Sequence, residues 1–506
     1  MSVRNRAYSP ASVGSATEHS GSMVTTVNLE VDGLYFQGCY GPTPSPRMLN
    51  RDHLNRDLAV RESFARDASG LWRVSDAIAR PSSAAEISAL LAQAHADRTA
   101  VTPAGSQTST TGASICDHGI ILSTRSLTAI TDLDTHARTV RVGPGVLLGD
   151  LQRAIAAEGL FFAPDPTSDQ ECTVGGAIAC NASGPRTLRY GPTRAHVRSV
   201  TVALAGGRIE RFQRSEVEKN TVGLFPAQDP VDWFIGSEGI LGVIVEAELA
   251  LLPRPQAEIG LAIPFPDESR ALAAIIAARE SRSLSPRCLE YFDAECFAIA
   301  RQGQGDAHWA PEAGAMVYTE ATTYGDALPQ LDEWLALAEA YGAHAQDVRV
   351  FDGDAAIREA RRLRHGVPAT MHERVAPYLK DGGRRVSTDW AVPWRLAPHA
   401  VKLARSHAFE AGVEPGVVYG HLGNGHPHQN FIARNPDEVK QFEQVVERTL
   451  RDVIAMGGTV AAEHGIGKVK SRWLPLQMHA SQVTLMRALK ADLDPHGIMA
   501  PGNILA

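Results

Sequence analysis

Three histidines fall within eight residues of the segment YGHLGNGHPHQN: His421, His426 and His428. In one straight strand His421 and His428 would face opposite sides, because side chains alternate. The Gly423-Asn424-Gly425 triplet offers a turn that would break the strand and bring both imidazoles to one centre. His426, His428 and Asn430 share parity and are expected to line one face. Further along, Glu463-His464 precedes a second turn, Gly465-Ile466-Gly467. Two imidazoles and one carboxylate with an open position make a workable catalytic divalent-metal set. No compact metal spacing is present, so on these residues alone histidines that hydrogen-bond a loop are the favoured account. Another charged segment, RRLRHGVPATMHE, sets Arg361, Arg362 and Arg364 on a helical pattern, and an Arg fork matches a carboxylate bidentately. For Arg361 and Arg362 a solvated basic face is the expected role.

These groups need elements to hold them. A helix is expected over 438–456, where Val439, Phe442, Val445, Val446, Leu450 and Val453 form a stripe that Gly457-Gly458 stops. Nearer the start, Ser83 with Glu86 forms a capping-box pattern, followed by Ile87, Leu90, Leu91 and Ala94 at helical spacing. A short strand ending at Thr102-Pro103, strands over 119–123 and 138–143, and a helix over 149–158 follow. VRSVTVAL and RIERF flank Ala205-Gly206-Gly207 as a hairpin, and GVIVEAELALLP (242–253) reads as a strand. Regular structure is expected to begin near Pro81, after a polar, flexible extension over 1–60.

Three glycine-rich stretches stand out. PAGSQTST, from Pro103 and Ala104 through Gly105, Ser106, Gln107, Thr108 and Ser109, offers unhindered backbone N–H groups and hydroxyls suited to a pyrophosphate. The run APDPTSDQECTVGGAIACNASGPRTLRYG and the pair KNTVGLF and FIGSEGILGVI complete the set. They are too apolar for linkers. The sequence Gly143-Pro144-Gly145 with Gly149 is out of register with a dinucleotide fingerprint, and Pro144 removes a donor, so it reads as a strand-to-helix turn with no phosphate role.

PAGSQTS, the DPTS…CTVGGAIACNASG…RYG run and FIGSEGILGVI resemble the FAD-binding domain of vanillyl-alcohol-oxidase (PCMH-type) flavoproteins. With YGHLGNGHPHQN, AAEHGIGKVK and LDPHGIMAPGNIL, they are most similar to the branch of D-lactate, glycolate and D-2-hydroxyglutarate dehydrogenases. The resemblance spans roughly 70–506. It implies an α+β fold with a PCMH-type FAD-binding domain over 61–255, a ferredoxin-like substrate (cap) domain over 256–455, and a segment over 456–506 that returns to the FAD domain. By the same likeness the pyrophosphate would sit on Gly105 to Ser109. Pro164, Asp165, Thr173, Gly175, Gly176, Asn181, Ser183 and Gly184 would contact the flavin and ribityl chain. Asn220, Glu238, Gly239, Gly242 and Val243 would complete the cofactor site, with Asn503. No histidine stands in the first loop, where relatives that tether FAD often carry one, so noncovalent FAD is expected.

The resemblance also makes His421, His428 and Glu463 metal ligands and His464 the general base. The pattern's Asp is Asn424 here and its Asn is His426, a residue that as ligand, relay or substrate contact stays open. Zn²⁺ is the first choice for such ligands, with Mn²⁺ or Fe²⁺ as alternatives. Arg364 aligns with the substrate arginine. Pro368 and Ser387 replace a Thr and a Lys that 2-hydroxyglutarate enzymes carry, which points to a monoacid. The implied reaction is FAD-dependent oxidation of a small 2-hydroxy acid, of D-lactate or glycolate type, to the 2-oxo acid, with hydride passing to flavin N5. Rival readings are an O₂-using oxidase of an alcohol, phenol or sugar, a non-redox ether-lipid synthase on the same fold, and a metal-binding scaffold without catalysis. The electron acceptor and the oligomeric state, a homodimer among the options, stay open.

Composition narrows the partners. A formal charge of −8 on 506 residues argues against nucleic acid or an anionic membrane as the main partner. No run approaches ~18 apolar residues, so no transmembrane helix is expected. Six scattered cysteines without a CxxC pair read as reduced thiols of a cytoplasmic protein.

Overall fold

The computed structural model describes residues 54–303, 305–323 and 330–505, so most of the expected extension, and Cys39, lie outside it. Regular structure starts before Pro81. Strand Leu54–Asn55 pairs with strand Ala77–Ala79, and helix Leu58–Ser63 lies between them, capped by Asp57. Elements this short are below the length at which periodicity can be read.

The first sheet has the spatial order Leu54–Asn55, Ala77–Ala79, Ile120–Ser123, Val101–Ala104, the last three strands parallel. Helix Ala84–Ala96 covers it, burying Ile87, Leu90, Leu91 and Ala94 against Val101 and Leu122. Ser83 accepts from the N–H of Glu86, whose carboxylate reaches back to Ser82. An antiparallel sheet follows: Ile130–Asp134, Thr139–Val142, Val243–Ala250, Val197–Ala203, Ile209–Gln213. Helices Leu148–Ala156 and Val174–Cys180 pack into its core. Residues 498–500 come back to this region, where Val101 N–H donates to Ile498 and Ala500 N–H to Val101, both at 2.8 Å.

The third large sheet has seven antiparallel strands: Arg349–Asp352, Ala257–Phe265, Ala315–Thr323, Cys288–Asp293, Val417–His421, His426–Ala433, Arg384–Ser387. Numbered along the chain, its first four lie in the order 4-1-3-2, the ferredoxin-like arrangement. The histidine hairpin and Arg384–Ser387 extend that unit. Helices Glu268–Glu280, Ala397–Glu410 and Pro436–Ala455 share a core with one face of the sheet. Helix Gly353–Val375 covers the other, against Phe292 and Tyr419. The Phe442, Val445, Val446, Leu450 and Val453 stripe is buried, as its spacing requires. The five described cysteines are free. No described helix is long and apolar enough to cross a membrane.

Candidate functional site

The Leu422–Asn424 turn and Gly425, in the left-handed region, fold the two histidine strands into a hairpin that pairs His421 with His426. Together with Glu463, the ligand atoms of His421, His426 and His428 lie within 4.8 Å of one another. The outer nitrogens of two rings are engaged. His421 Nδ1 donates to buried Glu290 at 2.7 Å, and His428 Nδ1 reaches the Thr388 carbonyl at 3.3 Å. Both Nε2 atoms therefore turn towards Glu463, at 3.2 and 3.6 Å. Such outer partners fix the tautomer that a metal ligand needs, so the donor set fits a divalent cation. Burial alone would depress His421, but Glu290 and Glu463 beside it push it up to about 10. Burial and its imidazole neighbours hold His428 far below the usual range.

The loop carrying Glu463 and His464 is clasped from two sides. Asp389 accepts the N–H groups of Glu463 and His464 at 3.2 and 3.0 Å. Glu238 accepts those of Ile466 and Gly467 at 2.6 and 2.7 Å. Between them Gly465 has φ +79°, and a Cβ there would sit 2.1 Å from Glu238 Oε1, so only glycine fits the clasp. Lys470 Nζ pairs with Asp389 and keeps its buried charge compensated. The His464 ring stacks on His428 with centroids 5.3 Å apart and stays 30 % exposed. Burial lowers its pKa below the ordinary imidazole value, so it is neutral at pH 7.

One cavity of about 790 Å³ has Glu463 and His464 in its wall. Its wall includes Pro103, Ala104, Gly105, Ser106, Gln107, Thr108 and Ser109 from the first glycine-rich loop. It also includes Thr173, Gly175, Gly176 and Ser183 from the second, and Glu238, Gly239, Gly242 and Val243 from the third. The Ser106 and Ser114 hydroxyls on this wall are buried without a partner. Buried polar atoms demand one, so the wall fits a polar cofactor such as FAD.

Other expected contacts lie elsewhere. Asn220 is exposed and accepts only the Val222 N–H among its described bonds, because its loop runs over the surface. Asn181 caps helix Val174–Cys180 in the left-handed region and accepts from Arg194 N–H. Asp165 turns away to Arg186 and Arg361, each at 3.5 Å, since a buried carboxylate needs cations. Gly184 packs on the Asp165 carbonyl, and Pro164 is buried off the wall. Asn503 ties the returning segment to the loops, donating to Ala113 and Glu238 carbonyls at 2.9 and 3.0 Å. Arg364 is also off the main wall. Its Nε pairs with Glu290 at 3.2 Å and its guanidinium stacks on Tyr419. It lines a narrow pocket that shares Pro166, Thr167, Asp169 and His365 with the cavity. Pro144, read as having no phosphate role, lines the cavity beside Gly175.

Asp389, Glu290, Lys470, His365 and His372 escaped the sequence reading. The one signal for Glu290 was an acid inside the apolar strand CLEYFD; Asp389 carried none, because its partners His464 and Lys470 are distant in the chain.

Comparison with known proteins identifies the family. Residues 75–213 match the FAD binding domain model, and residues 254–504 match that for the C-terminal domain of FAD linked oxidases. The D-2-hydroxyglutarate dehydrogenase of Xanthomonas citri pv. viticola is 31 % identical over 465 residues, 89 % of this chain and 94 % of that protein. The glycolate oxidase subunit GlcD of Bacillus subtilis is 28 % identical over 456 residues, 88 % of this chain and 93 % of that one. A solved alkyldihydroxyacetonephosphate synthase shares the fold at TM-score 0.66 with 17 % identity, covering 89 % of this chain and 82 % of that one. The chain belongs to the family of FAD-linked oxidoreductases that includes the glycolate oxidase subunit and the D-lactate and D-2-hydroxyglutarate dehydrogenases.

Proposed function

We propose that this protein oxidises a small 2-hydroxy acid, of D-lactate or glycolate type, to the 2-oxo acid, using noncovalent FAD and a divalent cation, Zn²⁺ by first choice. One observation carries the reading: a single cavity joins all three glycine-rich loops to His464. Bound FAD supplies the two-electron sink for the hydride leaving the substrate Cα. A cation held by His421, His428 and Glu463 supplies the charge that eases ionisation of the substrate hydroxyl.

The remaining chemistry falls to side chains. Asp389 Oδ1, 3.4 Å from His464 Nδ1, favours the tautomer with its proton on that nitrogen. Nε2 is then left to take the hydroxyl proton. Arg364 is the proposed anchor for the substrate carboxylate, reached through the narrow pocket beside His365. Near-complete burial of the cluster, with His421, His426 and His428 each under 5 % exposed, keeps water from screening these charges.

Anaerobic mixing of the yellow protein with D-lactate, L-lactate, glycolate, D-2-hydroxyglutarate and simple alcohols tests the reading. Bleaching of the flavin by a monoacid is the expected result. Reduction by alcohols as fast as by any 2-hydroxy acid would overturn it. Arg364→Met should raise KM for the acid far more than it changes flavin content.

A further inference from the structure

We infer that His426 is a third imidazole ligand, so that this chain offers a divalent cation three nitrogens and one oxygen, with the substrate hydroxyl entering as a fifth ligand. The inference rests on the metal reading above and goes beyond its two-histidine, one-glutamate set. Glu463 Oε2 is the focus: His421 Nε2 lies 3.2 Å from it, His428 Nε2 3.6 Å and His426 Nδ1 4.0 Å. Donors arranged tetrahedrally at ~2.0–2.1 Å from Zn²⁺ stand about 3.3 Å apart. The three spacings sit around that value, and His426 needs only a small ring shift to match it.

The surroundings of His426 repeat those of its neighbours. His421 and His428 each have an outer nitrogen against a buried acceptor, Glu290 or the Thr388 carbonyl. His426 has its own: Nε2 lies 3.2 Å from Asp389 Oδ1, within ion-pair range although too poorly angled for a hydrogen bond. A proton on that outer nitrogen leaves a lone pair on Nδ1, pointing at the same oxygen as the other two. Three ring nitrogens thus surround one carboxylate oxygen. A cation at their centre, displacing the proton that His421 shares with Glu463, would gather four bonds. The rings are close enough for it, His426 and His428 having centroids 4.5 Å apart and His421 and His426 5.4 Å. Ligand chemistry then sets the preference: three imidazoles favour Zn²⁺, Co²⁺, Ni²⁺ or Cu²⁺ over Mg²⁺ or Mn²⁺.

The test uses the full-length flavoprotein, stripped of metal and titrated with Zn²⁺ against a chromogenic chelator. His426→Asn and His426→Gln should weaken Zn²⁺ binding by at least about tenfold, the lower bound for losing even an outer partner of a ligand. The visible bands of the Co²⁺-loaded protein should change as well. His421→Ala serves as control for the underlying reading. If His421→Ala loses Zn²⁺ while both His426 variants match the unmodified protein in affinity and Co²⁺ spectrum, this inference falls and the metal reading stands. If the unmodified protein takes up no Zn²⁺, both fall. X-ray absorption at the zinc edge of the unmodified protein needs no variant to fold: three imidazoles support the inference and two overturn it.

Discussion

Asp389 grips His464 with both oxygens: Oδ2 accepts its backbone N–H at 3.0 Å, and Oδ1 lies 3.4 Å from its Nδ1. The carboxylate thus sets both where the imidazole sits and which nitrogen keeps the proton. Asp389→Asn should leave FAD binding and KM nearly unchanged while kcat falls by at least about tenfold. The ceiling is the ~10²–10⁴-fold loss expected for His464→Ala. Stopped-flow flavin reduction measures the step directly; an unaltered reduction rate would remove Asp389 from the positioning of the base.

Glu238 belongs to the FAD-binding half by sequence, but its carboxylate is spent on Ile466 and Gly467. Burial raises its pKa above the ordinary carboxylate value, an effect that those two N–H groups and the nearby Lys470 and Lys468 only partly oppose. Glu238→Ala would leave the two N–H groups without their acceptor, at a cost of about 1–3 kcal/mol for each one left buried and unsatisfied. Thermal melts should show this loss, and turnover should drop further than flavin content does.

Gly175 lets helix Val174–Cys180 lie on Pro144, for a Cβ there would meet the proline Cβ at 2.5 Å. A pyrrolidine ring cannot swing aside as a long side chain would. Gly175→Ala should therefore push the second glycine-rich loop from its place on the cavity wall. The expected outcome is protein purified with less than half its normal FAD, read from the absorbance ratio of flavin to protein.

His464 must be neutral to accept a proton, and burial places its pKa below the ordinary 6.5. As pH falls through that lowered value the ring charges and activity is lost. The acid limb of kcat/KM should accordingly have its midpoint below 6.5, with no loss on that side at neutral pH. A midpoint above 7 would point to another group.

Two carboxylates of one buried cluster should act on stability in opposite directions. Burial raises Glu320, but Arg186, Arg287 and Arg361 outweigh it and bring it to about 2. Its stabilisation is present above its ordinary value of 4.5 and fades as pH drops towards 2. For Asp165 burial wins over Arg186 and Arg361, and the group rises to about 6. The folded state then takes its proton first, so stability from Asp165 increases as pH falls from 6 towards 3.8. Denaturant melts across this range should show Glu320→Gln flattening the acid limb below 4.5 and Asp165→Asn removing the gain above it.

Local pattern in the chain settled a good deal. The apolar stripe of Phe442 to Val453 and the cap at Ser83 depend on neighbours a few residues away, so they could be read directly. The Gly423-Asn424-Gly425 triplet likewise offered a turn able to bring His421 and His428 together, while the place of His426 was left to the fold. Small residues in three stretches marked a place where backbone approaches a ligand, though not which of their side chains would face it. Asp165, Asn181 and Asn503 went to ion pairing, capping and bracing because buried charges and open helix ends claim the nearest partner. Short elements before Pro81 escaped for want of a full period. Folding alone decided that Asp389, Glu238 and Lys470 converge on the loop of His464, and that Glu290 stands behind His421. Those pairs lie 75, 229, 81 and 131 residues apart, distances at which no sequence period survives and only packing of the sheets and helices brings charge to charge.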